Sequence, residues 1–377
     1  MPPSNLTDLQ RDIVAAAEDV AGAFEDRAFE WQGDTPWENI ELLANQGLWA
    51  MAIPEEYGGG GLSVIEDILV TEAIAPVCPD TGWALLNASV SPRYVAQFGT
   101  EAAKERYLPP VANGESEMCI AISEPGAGSD VGGMRTRLES DGDGYTLHGE
   151  KTWITNYDTS EAAVVWARLP DGEIGSVVLD LDAPGVEIVD RTTNMAGHVQ
   201  THFAMDGARV PEENVLITDR DDWRTQLKRL NWDRVAIAMW TNALARTAIE
   251  RAVEYATERE QFGQPIGEFQ GLRWKIADMV AEYEAGRGLV YRAIERARAE
   301  DRVPTRLESS LAKFHTAERT ERIVSEALQV FGANGYQQGH PLEYLHRFNR
   351  SRRIGHGTDE ILKNGIADAV FDSGLMK

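Results

Sequence analysis

Cys119-Ile120-Ala121-Ile122-Ser123-Glu124-Pro125-Gly126-Ala127-Gly128-Ser129-Asp130 is the stretch on which the reading of this chain turns. An apolar run of strand character leads into a Ser-Glu-Pro turn. Gly126 and Gly128 then let the backbone approach something flat or anionic. Alone, the stretch reads equally well as a strand and an ordinary glycine-rich turn. A second stretch, about twenty residues on, shifts that balance: Gly149-Glu150-Lys151-Thr152-Trp153-Ile154-Thr155-Asn156. Here a planar indole is flanked by hydroxyl and amide groups on a strand. Together the two stretches suit one wall of a planar, hydrogen-bonding cofactor site, with Trp153 stacking and Ser123 and Thr155 donating.

Working outward, the texture on either side is helical. Leu6, Leu9, Ile13, Ala17 and Val20 recur at helical spacing, as do Ile40, Leu43, Ala44 and Leu48. Pro54 to Gly61 breaks the pattern; its glycines lack the GxGxxG spacing and read as a turn between helices. Helices are expected over 62–77 and 81–98, and another is capped by Thr100 and stops at Pro109-Pro110. From about 118 to 222, short apolar alternations separated by Gly, Asp and Pro predict an antiparallel β-domain with turns such as Asp143-Gly144. After Asp222 long amphipathic segments return: Leu227 to Glu260, Gly267 to Glu300, Thr305 to Gly332 and Asp359 to Phe371. Long helices with short connections predict an antiparallel bundle. The expected class is α+β: an N-terminal helical domain (1–117), a middle antiparallel β-domain (118–222) and a C-terminal four-helix bundle (223–377).

The 377 residues, 43% of them apolar, are enough for a large core in two or three domains. Against 36 basic residues stand 61 acidic ones, a net charge of −25. Such a surface repels nucleic acid and anionic membrane, so neither is expected as a partner. Only seven residues are lysine. Abundant carboxylates with few lysines suit a halophilic protein, in which concentrated salt screens self-repulsion; a merely acidic cytosolic enzyme is the plainer alternative. The two cysteines, Cys78 and Cys119, show no paired spacing, which fits a reducing cytoplasm. No signal peptide and no membrane span are expected.

Three further stretches lie in the C-terminal part: Arg259-Glu260-Gln261-Phe262-Gly263-Gln264-Pro265-Ile266, Gln329-Val330-Phe331-Gly332-Ala333-Asn334-Gly335-Tyr336, and Gly357-Thr358-Asp359-Glu360-Ile361. With the first two, they resemble the acyl-CoA dehydrogenase family, flavoenzymes that desaturate acyl thioesters, over nearly the whole chain. The resemblance implies FAD as cofactor, acyl-CoA as substrate, an electron-transferring flavoprotein as electron acceptor and a homotetramer. It implies that Ile122, Ser123, Trp153 and Thr155 line the flavin ring, and that Gly128 and Ser129 lie toward the thioester arm. Arg259 and Phe262 are implied to reach the diphosphate and adenine end of a neighbouring subunit's FAD, where an Arg fork suits phosphate. Gln329 and Gly332 match the FAD-contacting helix end, although Ala333 stands where relatives carry a second glycine. Thr358 is implied near the flavin diphosphate, and Thr358 or Asp359 also suits the cap of the last helix.

Taking two hydrogens from beside a thioester needs a base for the α-proton, an acceptor for hydride from the β-carbon, and donors for the enolate-like oxygen. No side chain accepts hydride, so a flavin must. Many relatives place a Glu just before the Gly-Thr pair; here that residue is His356. The isovaleryl- and long-chain-type branch carries its Glu on the first long C-terminal helix, just before an Arg, and here that pair is Asp233-Arg234. Asp233 opens an apolar run, Val235 to Trp240, where burial raises a carboxyl pKa. Asp233 and His356 are therefore the two candidate bases, Asp233 also being placed for an ion pair with Arg229 four residues back. Arg234 matches a CoA-contacting position. Arg93 lies in the region that lines the acyl pocket and suits either an anionic acyl group or solvent. An acyl-CoA oxidase is the nearest rival, and a scaffold reassigned to binding, lyase or hydroxylase chemistry is a further one.

Overall fold

Helices occupy both ends of the chain and strands its middle in the computed structural model, which describes residues 6–142, 144–217 and 220–373. The N-terminal helices are α1 (Asp8–Ala21), α2 (Trp37–Asn45), α3 (Val64–Ile74), α4 (Pro79–Phe98) and α5 (Glu101–Ala112). Thr7 opens α1 with a reciprocal cap: its side chain accepts from the Gln10 N–H while Gln10 returns to the Thr7 N–H. Thr100 caps α5 as expected, but the helix does not stop at Pro109-Pro110. The prolines fall in its last turn, where their fixed φ suits the helix and the loss is confined to the two N–H donors they lack. Their carbonyls still accept, from Asn113 N at 3.0 Å and Glu115 N at 3.0 Å.

The middle segment holds β1 (Glu117–Ala121), β2 (Arg137–Asp141), β3 (Gly144–Thr155), β4 (Ser160–Arg168), β5 (Ile174–Asp180), β6 (Val186–Thr193), β7 (Val199–Pro211) and β8 (Val215–Ile217). They form one sheet in the order β6-β7-β3-β2-β4-β5-β8, with β1 added beside β4. The sheet is mixed rather than purely antiparallel, because β1 runs parallel to β4 and β2 touches β4 in parallel at one residue pair. A parallel pair needs a long crossover, and the chain supplies one by making the whole β2–β3 hairpin between β1 and β4. Asp141 pairs with Gly144 across that hairpin; the Asp143 of the expected turn lies outside the described residues. Leu138, Leu147, Ile154, Val165, Val177, Leu179, Phe203, Met205 and Val210 build the core on the sheet's apolar face.

The C-terminal helices are α6 (Arg220–Glu258), α7 (Gln270–Ala299), α8 (Arg306–Phe331), α9 (Pro341–Arg350) and α10 (Asp359–Ser373). Helix α9 adds a fifth to the four expected. It starts on Pro341, with the His340 ring accepting from Leu342 N at 3.2 Å. Alanines on α6, among them Ala238, Ala245, Ala248 and Ala252, are fully buried and let neighbouring helices come close. Trp240 packs edge-on against Phe348 at 4.7 Å and donates to the carbonyl of Pro79 at 3.0 Å.

Spatially the chain makes two compact units. One comprises 1–32, 68–82 and 228–377; the other comprises 33–67 and 83–227. The N-terminal helices are thus shared between a helical unit and a unit built on the sheet. Among the described residues no helix is long and apolar enough to cross a membrane.

Candidate active site

In the sheet unit, the two opening stretches meet. β3 bulges between Lys151 and Ile154, taking Thr152 and Trp153 out of register with β7. Freed from the ladder, Thr152 N donates to the carbonyl of Ser123 at 3.0 Å. Trp153 sits at φ +62° and leaves 62% of its surface exposed. A left-handed backbone is costly for an aromatic residue, and an exposed indole recovers little of that cost by packing; such strain is kept at functional positions. Ile122, Ser123 and Thr155, on the same two stretches, are half-buried. A Cβ added at Gly126 or Gly128 would meet nothing within 4 Å, so the protein itself leaves that backbone uncovered. Ser129 is exposed beside them. An open glycine backbone, two half-buried hydroxyls and a presented indole fit the face of a planar, hydrogen-bonding cofactor.

The spacing of the two stretches is held by residues that the motif reading passed over. Lys151 is fully buried. Its Nζ donates to the carbonyl of Ile122 and to Oε1 of Glu124, each at 2.9 Å. Glu124 also accepts from the backbone N–H groups of Arg135 at 2.6 Å and Thr136 at 2.9 Å. Burial pushes the Lys151 ammonium down to about 8, against the pull of Glu124. Nearby, Glu117 is buried with its carboxyl held by Asn156 at 2.8 Å and by the Thr159 hydroxyl; burial pushes it up to about 7. A signal for Lys151 was available: with lysine so scarce, one inside a cofactor-like motif stands out.

In the helical unit, Asp233 lies on α6 and is 2% exposed. Its neighbour Arg234 donates through Nε to the carbonyl of His356 at 3.2 Å and through Nη1 to Oδ1 of Asn231 at 3.1 Å. His356, half-buried, and Gly357 both have positive φ, +58° and +100°. The buried Lys313 donates to the Gly357 carbonyl at 2.8 Å. Burial, and the cations Arg352, Lys313 and Arg234, push the His356 imidazole down to about 3. Thr358 Oγ1 accepts from Ile361 N at 3.4 Å and so serves as the cap of α10. The Asp359 carboxylate takes Arg353 at 2.6 Å. Asp233, Arg234, His356 and Thr358 therefore share one neighbourhood of the bundle.

Arg259, Phe262, Gln329 and Gly332 gather at the other end of α6. Arg259 follows the helix, and Phe262-Gly263, both at positive φ, turn a two-residue hairpin whose tip exposes 96% of Phe262. Tyr255 stacks on Phe331 at 4.2 Å and accepts from Asn334 at 2.9 Å, which ties this hairpin's root to the end of α8. Gln329 is exposed, and Gly332 ends α8 at φ +58°. In the sheet unit Arg93 is half-buried, with its charge acting on the buried Asp67, which also accepts from Ser89 at 2.6 Å. This is neither open solvent nor an uncommitted anion site.

The fold and the site together define a helical–β–helical chain that presents a strained indole beside an open glycine turn, a surface suited to a planar cofactor. Family profiles of the acyl-CoA dehydrogenase N-terminal, middle and C-terminal domains match residues 7–115, 119–207 and 222–371. A probable acyl-CoA dehydrogenase of Bacillus subtilis is 34% identical over 89% of this chain and 90% of its own length. A 3-sulfinopropanoyl-CoA desulfinase of Cupriavidus necator is 32% identical over 98% of this chain and 97% of its own. Butyryl-CoA dehydrogenase from Megasphaera elsdenii has a similar solved structure, with a TM-score of 0.88 at 29% identity, covering 98% of this chain and 100% of that one. The chain belongs to the acyl-CoA dehydrogenase family. It is an oxidoreductase of the CH–CH group whose activity is FAD-dependent dehydrogenation of an acyl-CoA.

Proposed function

We propose that Asp233 is the base that removes the α-proton of the acyl-CoA, and that His356 is not. One observation carries the choice. Asp233 is a carboxylate buried at the head of an apolar helical run, whereas His356 stands among three cations that hold its imidazole neutral and weakly basic. A general base works best with a pKa near the operating pH, and an imidazole at about 3 is far below it. Arg234 steadies the loop that carries His356 and lies next to the base, which supports a role in orienting the thioester. In this reading Ser129 lies toward the thioester arm. FAD, when bound, supplies the hydride acceptor that no side chain offers. Ile122, Ser123, Trp153, Thr155 and Thr358 would hold its flavin and diphosphate, with Gly128 where the flavin adjoins the thioester arm.

Arg259, Phe262, Gln329 and Gly332 serve the FAD of a neighbouring copy in this reading. From Asp233 to Arg259 the chain runs 26 residues along α6, roughly 39 Å at 1.5 Å per residue. One dinucleotide does not bridge both ends, and the exposed Phe262 hairpin points away from its own chain's packing. A homotetramer, as a dimer of dimers, meets that need. Electrons then leave to an electron-transferring flavoprotein.

A desulfinase-like lyase is the second reading, favoured by the 32% identity to a 3-sulfinopropanoyl-CoA desulfinase over 98% of this chain. Anaerobic titration with acyl-CoAs, following flavin absorbance, separates the two. Asp233→Asn should keep FAD and acyl-CoA binding yet slow flavin reduction by about 10²-fold or more, with His356→Ala costing much less. Flavin that bleaches normally in Asp233→Asn but not in His356→Ala assigns the base to the histidine. Flavin that no acyl-CoA bleaches favours the lyase.

A further inference from the structure

Lys151 and Glu124 form a nearly fully buried ion pair, their side chains 0% and 6% exposed. Each belongs to one of the two stretches that present Ser123 and Trp153. Two successive carbonyls on the first stretch are taken by two successive residues of the second: Ile122 O by Lys151 Nζ at 2.9 Å, and Ser123 O by Thr152 N at 3.0 Å. The Glu124 carboxylate gathers Lys151 Nζ with the N–H groups of Arg135 and Thr136. The turn that follows is closed by Glu124 and Ala127, which exchange backbone hydrogen bonds at 3.0 and 3.1 Å. The bulge that pushes Trp153 out begins at Lys151 itself.

Stability alone is a weak reason for such a pair. A hydrophobic pair of the same volume is often as stable or more so, because two charges must be stripped of water. What apolar packing does not supply is direction. An ammonium shared between a carbonyl and a carboxylate oxygen fixes both distance and register.

We propose that the buried Lys151–Glu124 pair is the positioning element of the flavin-facing surface, setting the spacing of Ser123 from Trp153 and through it the affinity and reduction potential of bound FAD. This rests on the reading that Ile122, Ser123, Trp153 and Thr155 meet the flavin. Lys151 and Glu124 act through those residues and touch neither substrate nor flavin.

The test is the double variant Lys151→Met/Glu124→Gln, which removes both charges and so leaves neither buried alone. FAD release from diluted holoenzyme, followed by flavin fluorescence, should be about tenfold faster, the scale of losing a supporting contact behind a ligand-holding residue. The flavin reduction potential, read well below the double variant's own thermal midpoint, should shift. A double variant that folds with unchanged FAD release and unchanged potential overturns the proposal. Should the double variant not fold, Glu124→Asp, which keeps both charges and shortens the reach to Lys151 by one methylene, is judged on the same two measurements. Trp153→Ala is the control. If it releases FAD at the wild-type rate, the underlying reading of the flavin-facing surface fails; if it releases FAD faster while the pair variants do not, the positioning role alone fails.

Discussion

Arg234 and His356, 122 residues apart in the chain, are joined by a hydrogen bond from the guanidinium Nε to the histidine carbonyl at 3.2 Å. The next carbonyl, that of Gly357, is taken by Lys313 at 2.8 Å. Two cations thus hold consecutive carbonyls of a loop whose two residues both sit at positive φ. Burial pushes the Lys313 ammonium down to about 7, so Lys313→Met should free the Gly357 carbonyl and destabilise the fold by about 1 kcal/mol, the usual range for a hydrogen bond to an uncharged group. A thermal melt reads this as a midpoint lower by about 1–3 °C, and an unchanged midpoint refutes it.

Glu117 sets a pH dependence of stability. Its folded pKa, about 7, lies above the ordinary carboxyl value of 4.5 because burial penalises the charged form. The folded state therefore holds this proton after the unfolded state has lost it. The resulting stability is fully present below pH 4.5 and is lost as pH rises through 7. Relative to Glu117→Gln, wild type should lose on the order of 3 kcal/mol between pH 4.5 and 7. Denaturant titrations of both proteins across that range would check it, parallel curves being the contrary result.

Arg259 and Asp233 should complement each other between subunits. Arg259→Ala weakens FAD retention by about tenfold or more, because the diphosphate loses a charge-assisted partner. Asp233→Asn is silent for a different reason. If each site takes Asp233 from one copy and Arg259 from another, co-expressed hybrids contain some sites free of both substitutions. Their activity should rise to about a quarter of wild type under random pairing. Activity equal to the average of the two separate variants would argue against shared sites.

Salt should stabilise the protein. The net charge is −25, and two of the seven lysines, Lys151 and Lys313, are buried, so few lysine charges remain to balance the surface. Self-repulsion is strongest in dilute buffer and screened in concentrated salt. Thermal midpoints in potassium chloride should climb from millimolar to molar concentrations; a flat or falling series would exclude the effect.

The order helical, sheet, helical was legible in the sequence because it rests on local physics. Apolar spacing, Gly-Asp-Pro punctuation and the Thr305 cap with Glu308 three residues on act within a few residues of themselves. The flavin-type stretches at 119–130 and 149–156 were legible for the same reason, being runs of neighbouring side chains. Where local signals conflict, as at Pro109-Pro110, proline's helix-compatible φ and the carbonyls it still offers carried the helix through one more turn despite the two missing N–H groups.

Tertiary structure alone decided who meets whom. That β1 runs parallel to β4 follows from where the β2–β3 hairpin is inserted, which no run of residues encodes locally. Tyr344 donates to Asp80 at 2.6 Å across 264 residues. The Lys151–Glu124 pair and the Arg234 and Lys313 clamps likewise join distant segments. Burial and charge set the behaviour of His356, Glu117 and Lys151, and both are properties of the space around a side chain. The sequence alone left two candidate bases standing. Folding put three cations around one of them, and in the low dielectric of the interior that neighbourhood governs how readily a group takes a proton.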